Sequence, residues 1–143
     1  MPKPESKNTG CGCRQLEEVA PKEKPKTLYD RLGGADGITQ LVNDAIELNL
    51  NNPIVKTRFE NTEDMERARL MTIEFFCAGS GGPETYSGRD LLTTHRGMNI
   101  SEEEFIAVLD DIFEAMDKNQ LDEDVKKDVL SILYSVKSEI IRV

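Results

Sequence analysis

The sequence predicts an all-α fold. Apolar residues recur at three- and four-residue spacing along most of the chain after residue 27, and β-branched residues follow the same helical spacing. Short runs of Gly, Pro and Asn separate these periodic segments. A chain of 143 residues is long enough to bury the core of one domain. We therefore expect one domain of four principal helices over residues 27–143.

Residues 1–26 have a different composition. They contain four of the six prolines among Lys, Glu, Ser, Asn and Gly, and such a segment cannot bury enough apolar surface to fold. We expect a disordered N-terminal extension. Cys11 and Cys13 lie in it, too close together for an easy internal disulfide. We interpret them as exposed thiols, with metal capture, lipidation or thiol-mediated contacts with a partner as alternatives.

The charge of the chain argues against one class of partner. Residues 1–26 carry a net charge of +2 and residues 27–143 a net charge of −11, which gives −9 overall. An acidic domain repels phosphate backbones, so we expect no binding to nucleic acid. The sequence also has no apolar run long enough to span a membrane and no secretory leader, which predicts a cytoplasmic protein.

The first two long helices follow a short "TLYDRLGG" segment at residues 27–34. In "ADGITQLVNDAIELNLNNP", residues 35–53, apolar residues line one helical face until the Asn-Asn-Pro sequence ends it. A second helix is predicted over about 62–79, where Gly79 begins a run of helix breakers. Cys77 on this helix is interpreted as a small buried apolar residue.

The third helix has a clear signal at its start. Ser101 and Glu104 form the pattern of a capping box, in which each side chain satisfies a free backbone amide at the helix start. The third helix follows from this cap with a strong apolar stripe. The fourth is predicted to run from about residue 124 to residue 141.

The chain contains a single histidine, His95, in a brief polar segment next to Gly97. A lone histidine in a helical protein is usually a surface or capping residue. No motif joins it to Cys77 or an aspartate as a catalytic set. One imidazole does suffice as the protein ligand of haem iron, because the porphyrin provides four nitrogens.

Four segments favour the haem interpretation. They are "LYDRLGG" at 28–34, "NNPIVKTRF" at 51–59, "FFCAGSGGPETYSGRD" at 75–90 and "HRGMNISEEEF" at 95–105. Their order and spacing resemble those of group I truncated haemoglobins. The resemblance implies a two-over-two helical globin fold over residues 27–143, with the glycine pairs at 33–34 and 81–82 allowing the tight turns of a shortened globin.

The resemblance also implies a set of haem contacts. His95 corresponds to the proximal iron ligand, Phe59 to a phenylalanine that stacks on the porphyrin, and Tyr86 to a tyrosine near the propionates of iron protoporphyrin IX. For Phe59 and Tyr86 the alternative is ordinary core packing. The remaining contacts come from the second and third helices and the segment between them: Ala68, Met71, Thr72, Phe75, Leu91, Ile100, Phe105 and Val108.

The implied distal pocket departs from the family pattern. Ile46 stands where relatives usually carry a tyrosine that donates a hydrogen bond to bound oxygen, and Ala68, Met71 and Thr72 complete the pocket. Losing that donor weakens oxygen binding by about 1–3 kcal/mol, so we expect reduced oxygen affinity and retained binding of CO and NO. Met71 is either a sixth iron ligand or an apolar filler, which leaves five- and six-coordinate iron both open.

These features support three hypotheses for function. The first is a haem protein that reversibly binds or senses O2, NO or CO, or performs redox chemistry with an unidentified reductase. The second is a globin-shaped interaction or regulatory protein with little or no haem, acting through Cys11 and Cys13. The third is a haem enzyme that turns over peroxide or nitric oxide, and the absence of an acid-base group among the implied pocket residues weighs against peroxide cleavage.

Overall fold

The computed structural model describes residues 26–143. Within this range no helix is both long enough and apolar enough to cross a membrane. The elements are, in order, α1 (Leu28–Arg31), α2 (Gly34–Leu50), α3 (Lys56–Glu60), α4 (Met65–Gly79), α5 (Leu91–His95), α6 (Glu102–Lys118), α7 (Glu123–Ser135) and a 3-10 helix (Lys137–Glu139).

The predicted all-α class is confirmed for the described residues. Their β-structure is limited to an isolated parallel bridge between Ile100 and Ile141. The prediction of a disordered extension, together with Cys11 and Cys13, falls on residues 1–25, which lie outside the described part of the chain.

Side-chain caps explain where α4, α6 and α7 begin, whereas α2 begins after Gly33 without one. Ser101 and Glu104 form the predicted capping box at the start of α6. On α4 the carboxylate of Asp64 accepts a hydrogen bond from the backbone N–H of Arg67 at 3.0 Å. Asp64 is the capping residue and has non-helical backbone geometry, so α4 begins at Met65. The apolar periodicity predicts a start about three residues earlier.

The core lies between two layers of helices. Helix α2 packs most extensively against α6 and α4, and α6 also contacts α7. The pairs α2/α4 and α6/α7 therefore form the two layers of the expected two-over-two fold. The buried centre combines one face of α2 with one face of α6 and the start of α7: Ile38, Leu41, Val42, Ala45, Ile46, Ile112, Ala115, Met116, Val125 and Val129.

Helix α4 is packed differently from α2 and α6. Its only fully buried residue is Cys77, at 1% exposure, as the sequence predicted. Burial raises the pKa of this thiol. Most other apolar side chains of α4, including Phe75 and Phe76, are half-buried, and Leu70 is 50% exposed. This face of the helix borders open space rather than a closed core.

The predicted end of the last helix is wrong. Helix α7 stops at Ser135 instead of continuing to about residue 141. The chain then turns through the 3-10 helix, and Arg142 takes a positive φ of 58°. Its N–H donates to the Ile100 carbonyl at 2.9 Å. These tertiary hydrogen bonds hold the last residues of the chain beside the loop that follows His95. For this reason α7 ends earlier than the apolar periodicity predicts.

The corner between α1 and α2 depends on close backbone contact. Gly33 and Gly34 have φ values of 97° and 70°, a conformation that glycine adopts without strain. A Cβ on Gly37 would lie only 2.2 Å from the carbonyl oxygen of Leu32. Glycine at position 37 therefore allows α2 to turn directly away from α1.

Replacing Gly37 tests this corner. We expect Gly37→Ala to lower the free energy of unfolding by about 2 kcal/mol, because the backbone must move to admit the methyl group. Gly79→Ala is the matched control, since a Cβ there meets no atom within 4 Å. The control should change stability by less than about 1 kcal/mol, in the stabilising direction. Urea unfolding measures both, and equal stabilities would contradict the proposed contact.

Candidate functional site

Three neighbouring cavities lie between the helices. The α6 cavity, of about 280 Å³, lies between α3, α5, α6 and the residues after α7. The α2 cavity, of about 230 Å³, lies between α2, α4 and α6. The α4 cavity, of about 500 Å³, lies between α4 and the segment 86–95. Shared lining residues show that the three adjoin.

His95 lines all three cavities. It is the last residue of α5, a five-residue helix that begins after Asp90. The carboxylate of Asp90 caps α5 by accepting a hydrogen bond from the Thr93 N–H at 2.9 Å. Hydrogen bonds from Thr93 lower the pKa of Asp90, so the cap stays ionised at neutral pH. The cap and the short helix together place the imidazole where the cavities meet.

The imidazole of His95 is held in one tautomer. Its Nδ1 lies 2.8 Å from the carbonyl oxygen of Leu91, one turn earlier on α5. A carbonyl oxygen only accepts hydrogen bonds, so Nδ1 carries the proton and donates it. Nε2 of the neutral ring then keeps its lone pair. This arrangement leaves Nε2 able to coordinate a metal, and a hydrogen bond of this kind orients the ring of a metal-binding histidine.

The structure brings the residues predicted from the sequence together around these cavities. Each of the twelve lines at least one cavity. Those of the α6 cavity are Phe59, His95, Ile100, Phe105 and Val108. Those of the α2 cavity are Ile46, Phe59, Ala68, Thr72, His95 and Val108. Those of the α4 cavity are Ala68, Met71, Thr72, Phe75, Tyr86, Leu91 and His95.

Two of the predicted aromatic residues occupy different places in the site. Phe59 lines both the α6 and α2 cavities and so lies at their boundary. Tyr86 lines the α4 cavity, and its hydroxyl donates to the Arg89 carbonyl at 2.7 Å. Its ring packs edge-on against Phe75 with centroids 5.9 Å apart. Tyr86 is thus fixed by a hydrogen bond within its own segment and by packing against α4.

The predicted distal residues do not all share one cavity. Ile46, Ala68 and Thr72 line the α2 cavity, whereas Met71 lines the α4 cavity. The hydroxyl of Thr72 donates to the Ala68 carbonyl at 2.7 Å. Because a hydroxyl carries one proton, this bond uses the only donor that Thr72 has.

Sequence reasoning missed several residues that line the cavities. Asn49 lines the α2 cavity one turn after Ile46, and the i, i+3 spacing on α2 is the signal that could have identified it. Arg67 and Arg89 line the α4 cavity. The other missed residues are mostly apolar: Leu41, Val42, Ala45, Val55, Met65, Phe76, Met98, Leu109, Ile112, Leu133, Val136 and Ile140.

An ion pair at the edge of the α6 cavity was also missed. The guanidinium of Arg58 donates to both carboxylate oxygens of Glu104, at 2.6 and 3.0 Å, and to the Met98 carbonyl at 2.8 Å. These contacts join α3, α6 and the loop after His95. The hydrogen bonds from Arg58 hold the pKa of Glu104 at about 2, below its ordinary 4.5. The two residues are 46 positions apart, so no local pattern pairs them.

Side chains of the described range do not form a complete metal site by themselves. No group of three or more His, Cys, Asp or Glu residues within 26–143 is placed to hold a metal ion.

Comparisons with known proteins agree with this geometry. The sequence model of a family described as bacterial-like globin matches residues 27–141. A group 1 truncated hemoglobin from Tetrahymena pyriformis is 32% identical over 89 residues, which cover 62% of this chain and 73% of the relative. The structure of a truncated hemoglobin from the same organism, in its Fe(III) form, superimposes with a TM-score of 0.79 at 23% identity, covering 82% of this chain and 100% of the other.

A second solved structure is also similar to this chain. The 2/2 hemoglobin from a Synechococcus species, in the cyanomet state with covalently attached heme, superimposes with a TM-score of 0.72 at 23% identity. The match covers 78% of this chain and 94% of that one.

The ion pair at the cavity edge predicts a dependence of stability on pH. Because folding lowers the pKa of Glu104, the pair stabilises the protein fully above about pH 4.5 and loses this effect as the pH falls towards 2. We expect Glu104→Gln to lower the free energy of unfolding at pH 7 by about 2 kcal/mol. Gln retains the capping box, so the change removes chiefly the charge facing Arg58.

The control for this prediction is Glu103→Gln, an exposed position one residue earlier on α6. It should change stability by less than about 0.5 kcal/mol. Urea unfolding between pH 3 and pH 7 measures the difference between each variant and the wild type. A difference for Glu104→Gln that stays constant across this range would contradict the assignment.

Proposed function

We propose that this chain, which belongs to the bacterial-like globin family and is a group I truncated globin, binds haem through His95 and reversibly binds a diatomic gas. The observation that carries the proposal is the placement of His95 at the junction of all three cavities, with Nδ1 tied to Leu91. When bound, haem would supply an iron to which O2, NO or CO can bind.

The dimensions and chemistry of the site fit iron protoporphyrin IX. Together the three adjoining cavities reach the upper part of the roughly 300–1,000 Å³ range typical of sites for small molecules. The lining of the α6 and α2 cavities is mostly apolar, which suits a porphyrin ring. The half-buried apolar face of α4 would gain cover from such a ligand.

Different residues of the site would contact different parts of the haem. His95 offers Nε2 to the iron, while Phe59 and Val108 lie at the boundary of two cavities and offer apolar contact to the ring. Arg67 and Arg89 line the wide α4 cavity beside Tyr86, together with the carboxylates of Glu63 and Asp64. The two arginines would provide positive charge for the propionate carboxylates. The apolar side chains around the α2 cavity exclude water from the place proposed for the gas.

Haem binding is tested by titrating the purified full-length protein with haemin and recording the absorption spectrum. We expect a sharp Soret band for the wild type. In His95→Gly, haemin should bind more than about tenfold more weakly, because the coordinating nitrogen is gone. Free imidazole should restore the band by occupying the vacated space, a result that loss of folding would not allow.

The control for this experiment is Glu103→Gln. Glu103 is exposed at the start of α6 and lines none of the three cavities, so its variant should keep the wild-type spectrum. If haemin added to the wild-type protein kept the spectrum of free haemin, the proposal would be wrong. The haem-free interaction protein would then be the better hypothesis.

We further propose that Met71 packs against the bound group without coordinating its iron. Met71 lines the α4 cavity and is absent from the lining of the α2 cavity, where Ile46 lies. We therefore expect Met71→Leu, which conserves volume, to leave the ferrous absorption spectrum unchanged. Loss of a six-coordinate ferrous spectrum in this variant would instead identify Met71 as the sixth ligand.

The physiological setting stays a prediction. Reversible binding of oxygen calls for an unidentified reductase that keeps the protein ferrous, and we expect both to work in the cytoplasm. For an enzymatic role in peroxide turnover, the only acid-base residue among the described residues that line the α2 cavity is His95, which is the proposed iron ligand. This weighs against peroxide cleavage.

A further inference from the structure

The side-chain oxygen of Asn49 is a buried polar atom without a hydrogen-bonding partner in residues 26–143. It lies on the core-facing side of α2 and is only 4% exposed. Its Oδ1 atom is buried and accepts no hydrogen bond, and no side-chain hydrogen bond joins Asn49 to any other residue in the described range. Buried amides are nearly always paired, because an unpaired one loses its contacts with water without replacement.

The position of Asn49 indicates a function for its unpaired carboxamide. It lines the α2 cavity together with His95, and it follows Ile46 by one helical turn. A cavity of about 230 Å³ has room for a diatomic molecule beside the carboxamide, since a water molecule occupies about 30 Å³ in the liquid.

The other polar side chains of this cavity have no free donor. Within residues 26–143 its polar lining consists of Asn49, Thr72 and His95. Thr72 donates its proton to Ala68, and His95 donates from Nδ1 to Leu91. The carboxamide of Asn49 carries two donor protons, and a half-turn about its last bond exchanges its oxygen and nitrogen. It can therefore turn a donor towards the cavity without breaking a bond to the protein.

We propose that Asn49 donates a hydrogen bond to a diatomic gas in the α2 cavity and so replaces the donor that Ile46 lacks. The inference rests on the proposed function, since it needs haem to hold the gas. It revises the expectation, drawn from Ile46, of reduced oxygen affinity. The preferred ligand is one that accepts a hydrogen bond strongly, which favours oxygen over carbon monoxide.

The test compares wild type with Asn49→Leu, which keeps the volume of the side chain and removes its polar atoms. Both are loaded with haemin, and the Soret band establishes that each holds haem. We expect oxygen to dissociate from Asn49→Leu roughly 3- to 10-fold faster, as expected for one lost neutral hydrogen bond. The infrared stretching frequency of carbon monoxide added to the ferrous protein should rise, because a donor near its oxygen lowers that frequency.

A third measurement uses the haem-free proteins. Removing a buried amide that has no partner should raise the midpoint of thermal unfolding of Asn49→Leu above that of the wild type. A lower midpoint would mean that the amide supports the fold and would overturn the inference.

The matched control is Asn43→Leu. This is the same chemical change on the same helix, at a carboxamide that accepts from Arg69 at 2.7 Å and lines none of the three cavities. It should leave the oxygen dissociation rate and the carbon monoxide frequency as in the wild type. Thr72→Val tests the rival donor, and a faster oxygen dissociation in that variant, with none in Asn49→Leu, would overturn the inference.

The outcomes separate this inference from the proposed function. If wild-type protein takes up no haem, both are wrong. If wild type and Asn49→Leu both take up haem and show equal oxygen dissociation rates and equal carbon monoxide frequencies, only the role of Asn49 is wrong.

Discussion

The candidate site depends on the hydrogen bond from His95 Nδ1 to the Leu91 carbonyl. This bond closes within one turn of α5 and leaves Nε2 as the free nitrogen where three cavities meet. A helix of five residues is too short to be stable by itself. The orientation of the imidazole therefore depends on contacts that reach α5 and the loop after it from elsewhere in the fold.

Those contacts come from distant parts of the chain. The backbone of residues 97–100 is joined to Arg142 and Val143 by three hydrogen bonds of 2.9–3.3 Å. Arg58 binds the same loop through the Met98 carbonyl and binds α6 through Glu104. The loop after His95 is thus fixed on both sides, which limits how far the ring can move. The early end of α7 makes this support available, because a straight helix would carry residues 142–143 away from the loop.

Unfilled space at the site and the stability of the fold are connected. The apolar face of α4 borders cavities instead of a closed core. The side-chain oxygen of Asn49 is buried and has no partner among residues 26–143. Both features cost stability in the ligand-free chain. A ligand that fills the cavities stabilises the folded state by binding only to it. The same features that lower stability therefore make room for a large planar ligand and for a small molecule beside it.

The sequence by itself determined the four long helices, except for the end of α7, and identified His95 as the candidate ligand. It did not predict the short helices α3 and α5. Periodicity and caps, above all the Ser101 capping box, are local and can be seen in a few residues. The family motifs identified twelve residues that line the cavities. Only the tertiary structure decided the pairing of Arg58 with Glu104, the end of α7 and the unpartnered state of Asn49. These depend on contacts between segments far apart in the chain, and whether a polar group has a partner is decided by what the whole fold places around it.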